Sequence, residues 1–406
     1  MVLLFKTRFL QSTRPFSFYL KTIGVFLHLT NKPVQRFSCL IFSCFSFALT
    51  FQAGLYVFVE RSVLDIRYAF SGESGRGINF TKQFSRIDAF ATGLATTNPF
   101  VCGSATSLLL VVTSRETVRL FCFSMGTMDR LSKRPDLKSL WRYSIAAVTW
   151  IAITVTCINF KTNKQVIVQC GGSIYLMLLN PDWVSQNLLM CFQSLIILTQ
   201  SLNYTLSATW IYTLCARTIV IYYLRIADEL QRLARKDCDY CLNNEMVRIL
   251  NMFKHLSQAT RFLHNRLELI LLINCYYLVA NLIYLMYYAT CFTSWKTFII
   301  DWFSLVEGIC RLFLICHSAD SIRSSRIQSI SILRQLRDDS VFTTASADRT
   351  KLTLFIIELY NCEKDVTLLG MMQLSKRIIL KAVETALTFY IIIYQFQIGW
   401  SQLPAE

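Results

Sequence analysis

Two charged residues of opposite sign, Glu307 and Arg311, stand four positions apart inside an otherwise apolar run, with Asp301 near the start of the same run. Four-residue spacing puts two side chains on one helix face, so each partly neutralises the other. Three kinds of chemistry are open to this group. The pair can be a structural ion pair. It can form the polar wall of a ligand cavity, because ionisable groups within membrane spans face a cavity or the bundle interior. It can also be the proton relay of a transporter, although a single acidic span without internal repeats fits that architecture poorly. A second polar residue in apolar surroundings is Gln395, close to the end of the chain. An amide in hydrocarbon costs free energy unless it finds a partner or water. Gln395 therefore either lies at the lipid headgroup level or faces an aqueous path enclosed by several copies of its helix.

Other reactive residue types offer less. Cys238-Asp239-Tyr240-Cys241 is a CxxC followed by His255 and His264. No second CxxC occurs and the two His are wrongly spaced for a zinc finger, so reduced thiols are expected. No zincin, nucleophile-elbow, phosphate-loop or dinucleotide signature is present. With four His in the whole chain, the expectation is no enzyme, no metal and no cofactor.

The elements that position these residues are membrane helices. Hydrophobic letters make up 54% of the 406 residues, charged letters only 16%, and the mean hydropathy is +0.42. Average soluble domains carry about 25% charged residues. Seven runs are long and apolar enough to cross a bilayer, which takes ~20 residues of helix. They are 37–59, 89–113, 143–160, 186–216, 269–295, 298–317 and 382–400. The first five contain no Asp, Glu, Lys or Arg. The run 166–179 is interrupted by Gly171-Gly172 and is too short to cross, so it is expected at the interface or packed between spans. Few Pro and Gly favour helices over barrel strands, and no linker-like stretch divides the chain, which reads as one domain, 1–406. The first 15 residues lack the compact apolar core and cleavage site of a signal peptide.

The excess of +16 charges is explained by where Lys and Arg lie, without a nucleic-acid partner. The N-terminal segment and the second, fourth and sixth loops hold 32 of the 41; the other loops and the C-terminal tail hold 8. Positive residues remain cytoplasmic. The N-terminus is thus expected inside and the C-terminus outside, opposite to a G-protein-coupled receptor. The Asn79-Phe80-Thr81 glycosylation sequon then falls outside, as it must to be used. Asn203-Tyr204-Thr205 lies within a span and is a chance match.

The fourth loop has helical periodicity. Leu224, Leu230 and Leu233 lie among charges, and Met246, Ile249, Leu250, Phe253 and Leu256 repeat at helix spacing. In the sixth loop Leu352, Phe355, Ile356 and Leu359 do the same. Amphipathic helices on the headgroup layer are one reading. We favour continuation of spans four and five beyond the bilayer, with these helices packing into a cytoplasmic assembly. At the outer ends of the spans stand Asn159, Asn187, Gln193, Tyr284, Tyr287, Tyr288, Trp302 and, deeper, Glu307. Aromatic faces with a few amides and one acid suit a small organic ligand. The same aromatics also match an interfacial belt.

The last span resembles a known family. Thr388 and Phe389, the five residues Tyr390 to Tyr394, then Gln395 and Phe396 are similar to the terminal helix of insect gustatory receptors. That family's pattern is Thr-Tyr, five hydrophobic residues and Gln-Phe, so this chain differs by Phe389 for tyrosine. Upstream, Leu368 to Arg377 resembles the family's Gly-containing turn before a basic helix start. Phe16 to Leu29 resembles the short amphipathic segment before the family's first span. The close resemblance covers about the last forty residues, and the inverted seven-span topology agrees with it.

The resemblance implies a plasma-membrane receptor of sensory neurons, a ligand-gated cation channel opened by a small tastant. It implies four subunits, identical or mixed, with Thr388, Ile392, Gln395 and Phe396 at the pore and gate. An apolar ring closes a pore by dewetting and an amide ring admits hydrated cations. Sugar-responsive members carry Glu where this chain has Tyr390, which argues against that subgroup and leaves the ligand class open. Outside the resemblance, a secondary transporter using the acidic sixth run and a G-protein-coupled receptor are the competing functions.

Overall fold

A computed structural model describes residues 8–23, much of 102–129, and 138–169, 186–234, 239–290, 295–338 and 372–401, with 350, 353–354, 356–357 and 367–368. Helices dominate: α1 (Arg8–Ser12), α2 (Arg14–Thr22), α3 (Lys138–Gln169), α4 (Gln186–Ala234), α5 (Asp239–Thr290), α6 (Trp295–Asp338) and α7 (Arg377–Ser401). Parts of 102–129 are also helical. A two-stranded antiparallel hairpin, β1 (Thr367–Leu368) and β2 (Met372–Gln373), precedes α7, with Thr367 opposite Gln373 and Leu368 opposite Met372. It occupies the Gly-containing turn of the sequence.

Within the described residues, three helices have stretches long and apolar enough to cross a membrane, lying in Lys138–Cys157, Glu245–Ile283 and Trp302–Leu336. The expected runs 143–160 and 186–216 fall within α3 and α4, and 298–317 and 382–400 within α6 and α7. For the run 269–295, α5 covers residues as far as Thr290. Run 37–59 lies outside the described residues, and 89–113 is described only in part.

Three helices run well past their apolar cores. α4 continues to Ala234 and α5 begins at Asp239, as the periodicity of the fourth loop indicates. The apolar stripe there is buried: Leu230 and Leu233 on α4, and Met246, Ile249, Phe253 and Leu256 on α5. Leu224 is exposed. α6 was not expected to continue, yet it extends to Asp338, 44 residues in all. Its extension buries Ile322, Ile330, Leu333 and Leu336, with Ser325 and Ser329 between them. Ser329 donates to the Tyr223 carbonyl at 3.0 Å, fixing this extension to α4. α3 also runs on to Gln169, so 166–169 continue that helix, and 170–179 lie outside the described residues.

α6 and α4 make the largest helix pairing, and α5 packs on α4, α6 and α7. At the N-terminus, Pro15 occupies the first turn of α2, where its missing N–H has no helical partner to lose. The Phe16 amide donates to Ser144 Oγ on α3 at 2.9 Å, and the Tyr19 hydroxyl to Asn203 Oδ1 on α4 at 2.8 Å. Asn203, the residue of the chance sequon, is thus buried in the α2–α4 contact.

Candidate functional site

Glu307 and Arg311 come together in the interior of the bundle. Their side chains are 2% and 1% exposed, and Arg311 Nε lies 2.7 Å from Glu307 Oε1. The contact is an ion pair outside hydrogen-bond geometry, and Arg311 Nη1 has no hydrogen-bond partner among the described residues. Two neighbouring helices complete the surroundings. Trp150 Nε1 on α3 donates to the same Glu307 oxygen at 3.5 Å, and the guanidinium stands 5.4 Å from the Tyr277 ring centroid on α5. The indole thus adds a polar hydrogen to the carboxylate, and the phenol face a cation–π contact to the guanidinium. Gly308, next to Glu307, brings α6 close to α5, where Leu278 faces it.

This arrangement joins α3, α5 and α6 through one buried charge pair. Its geometry is that of a buried ion pair with one guanidinium nitrogen, Nη1, lacking a hydrogen-bond partner among the described residues, which fits a structural pair and the polar wall of a cavity alike. The sequence indicated the Glu307–Arg311 pairing. Trp150 and Tyr277 were missed, because nothing in their local spacing distinguishes them from the many other aromatic residues of the spans.

The remaining candidate residues fall on the same helices. Asn159 is on α3, Asn187 and Gln193 on α4, and Tyr284, Tyr287 and Tyr288 on α5; their side chains lie outside the described residues. Trp302 is on α6 and is 45% exposed. Five residues from Glu307, it points about 140° away around the helix. Asn79 and Cys238 lie outside the described residues; Asp301 is on α6, and its side chain, like those of Cys241 and Phe396, lies outside them. Among the described residues no group of His, Cys, Asp and Glu could hold a metal ion.

The terminal helix α7 presents a different surface. One narrow face, Ile378, Ala382 and Ala386, is buried against the bundle, where α5 is its main neighbour. Glu384, Thr388, Ile392 and Gln395, at spacings of four, four and three, form an exposed stripe on another side. Phe389 and Ile391 are also about half exposed. The small residues Ala382 and Ala386 let α7 lie close to the bundle, and most of its described side chains from Glu384 to Gln395 are exposed.

No family model and no curated protein matches this chain. Among solved structures, the chain is similar to the insect olfactory receptor OR5 from Machilis hrabei in complex with eugenol. The TM-score is 0.63 at 10% identity, over 95% of this chain and 99% of that one. A second structure of the same receptor gives a TM-score of 0.63 at 12% identity, over 94% and 98%. The chain therefore shares the fold of that receptor, and three of its described helices are long and apolar enough to cross a membrane.

Proposed function

We propose that the chain is a subunit of a ligand-gated, non-selective cation channel of the gustatory receptor type, opened by a small extracellular tastant. The observation that carries this reading is the exposed stripe of α7. Glu384 and Gln395 would be costly against lipid, and they become favourable when several copies of α7 enclose water; Thr388 between them donates to the Glu384 carbonyl at 2.9 Å. A tetramer with α7 nearest the axis supplies that enclosure, with Thr388, Ile392, Gln395 and Phe396 lining the path. The shared fold with an olfactory receptor supports the reading, and its eugenol complex supports a small organic ligand.

In this reading the N-terminus and the long ends of α4, α5 and α6 are cytoplasmic, and Asn79 is extracellular and available for glycosylation. The ligand binds between the outer halves of the helices, near Glu307 and Arg311. It opens the pore only in so far as it binds the open state more tightly than the closed one. Expression in the plasma membrane of sensory neurons follows from the role.

The test is electrical. In the expressed chain, Gln395→Glu places carboxylates around the path and should raise selectivity for cations, while Gln395→Leu should dry the constriction and abolish current at unchanged surface expression. Unaltered permeation in both variants would reject the pore role of α7.

A further inference from the structure

α6 carries a second acidic group with an unusual partner. Asp320 Oδ2 accepts a hydrogen bond from the backbone N–H of Lys376 at 3.0 Å, across 56 residues of sequence. Lys376 immediately precedes α7. The next two described bonds of this turn, Ile378 N–H to the Ser375 carbonyl and Ile379 N–H to the Lys376 carbonyl, span three residues each, so the helix begins as a tight turn. The first N–H groups of a helix have no intrahelical acceptor, and the helix dipole favours an anion there. α7 has no acidic residue in its first turn. Its start is basic instead, with Lys376, Arg377 and Lys381. The anion that the terminal helix lacks is supplied by α6.

The packing around α7 sets this bond apart. α7 packs mainly on α5 and touches α6 far less. Strand β1, just upstream, also lies against α5. Asp320 is thus a localised polar tie from α6 to a helix otherwise held by α5. On the same unbroken helix, 13 residues earlier, stands Glu307, about 20 Å away at the rise of an α-helix. Between the two points α6 is continuous and carries no Pro, a main cause of helix kinks. Gly308 is in that stretch, where a Cβ would meet Leu278 Cδ2 of α5 at 3.9 Å, ordinary van der Waals contact.

We propose that Asp320 is the positioning residue through which α6 sets where the terminal helix begins, so that a shift of α6 at the Glu307–Arg311 pair is passed to the first turn of α7. Ligand chemistry at the buried pair and the placement of the last helix are then two ends of one element. The coupling holds whether or not α7 lines a pore, so its failure and the failure of the channel reading are separate results.

The experiment is hydrogen exchange on the purified full-length chain in lipid nanodiscs, reading the amides of 376–380. Asp320→Ala should speed exchange there at least tenfold, Asp320→Asn by less, and Asp320→Glu should restore most of the protection. Slow exchange in the middle of α4 serves as the check that each variant is folded. The coupling is read from a double variant: Glu307→Gln should change exchange at 376–380 when Asp320 is present and have no effect there in the Asp320→Ala background. If Glu307→Gln does not fold, Arg311→Lys, which keeps the charge, supplies the disturbance. Unchanged exchange at 376–380 in Asp320→Ala overturns the tie. A Glu307 or Arg311 effect that is absent in the Asp320 chain, or equal in both backgrounds, overturns the transmission.

Discussion

Glu229 of α4 and Arg248 of α5 form an ion pair of 2.9 Å near the ends of their two helices, with the carboxylate almost wholly buried. Arg225 Nε, one turn back on α4, approaches the other oxygen of Glu229 at 3.3 Å. The carboxylate thus lies between two guanidinium groups that remain about a quarter exposed. Partly exposed cations keep part of their hydration, so the carboxylate is neutralised without the full cost of burying three charges.

Replacing Glu229 by Gln should separate the ends of α4 and α5. A hydrogen bond to a charged group contributes about 1.5–3 kcal/mol. The expected result is a lowered melting temperature in detergent, with earlier proteolysis at the link between the two helices. An unchanged melting temperature would show that the hydrophobic stripe alone holds these ends.

The Glu307–Arg311 pair should behave as a unit. Glu307→Gln leaves Arg311 buried without its counter-charge, and Arg311→Met strands the carboxylate; each should cost about 3–5 kcal/mol. The double variant Glu307→Gln with Arg311→Met removes both charges and should recover most of that loss. Thermal melts of the four proteins give the coupling directly, and additive losses would contradict a pair.

Gly308 has a milder expected outcome. A Cβ added there meets Leu278 Cδ2 at 3.9 Å, ordinary van der Waals contact. Gly308→Ala should be neutral or stabilising by up to about 1 kcal/mol, since Gly is the poorer helix former. Gly308→Leu should lower the melting temperature clearly, because the added volume has to displace the α5 surface.

For the proposed gate, Phe396→Ala removes bulk from an apolar ring. The expected phenotype is current without ligand at normal surface expression, measured beside the parent chain. A silent variant that reaches the surface would remove Phe396 from the gate.

Much of the helix framework was legible because long apolar runs without charge have few alternatives. The extensions of α4 and α5 were legible through Ile249, Phe253 and Leu256, a stripe unbroken by small polar residues. The α6 extension was not, because Ser325 and Ser329 occupy its buried face and read as surface residues; Ser329 is in fact satisfied by the Tyr223 carbonyl. Spacing alone paired Glu307 with Arg311, since a helix relates them. Trp150 and Tyr277 reach the pair from other helices, and Asp320 reaches Lys376 across 56 residues. Such contacts depend on how helices pack, which local periodicity does not encode.

Several of the polar side chains buried in the helices are answered within their own helix. Thr209, Thr213 and Thr218 of α4 each donate to the carbonyl four residues back, and Asn274 of α5 does the same. Glu307 finds Arg311 one turn further along α6. A segment that satisfies its polar groups by itself can leave the translocon for lipid before its neighbours have been synthesised. Membrane insertion and bundle assembly then become separable steps in biogenesis. Polar positions are tolerated during synthesis because each of these has a partner within its own helix.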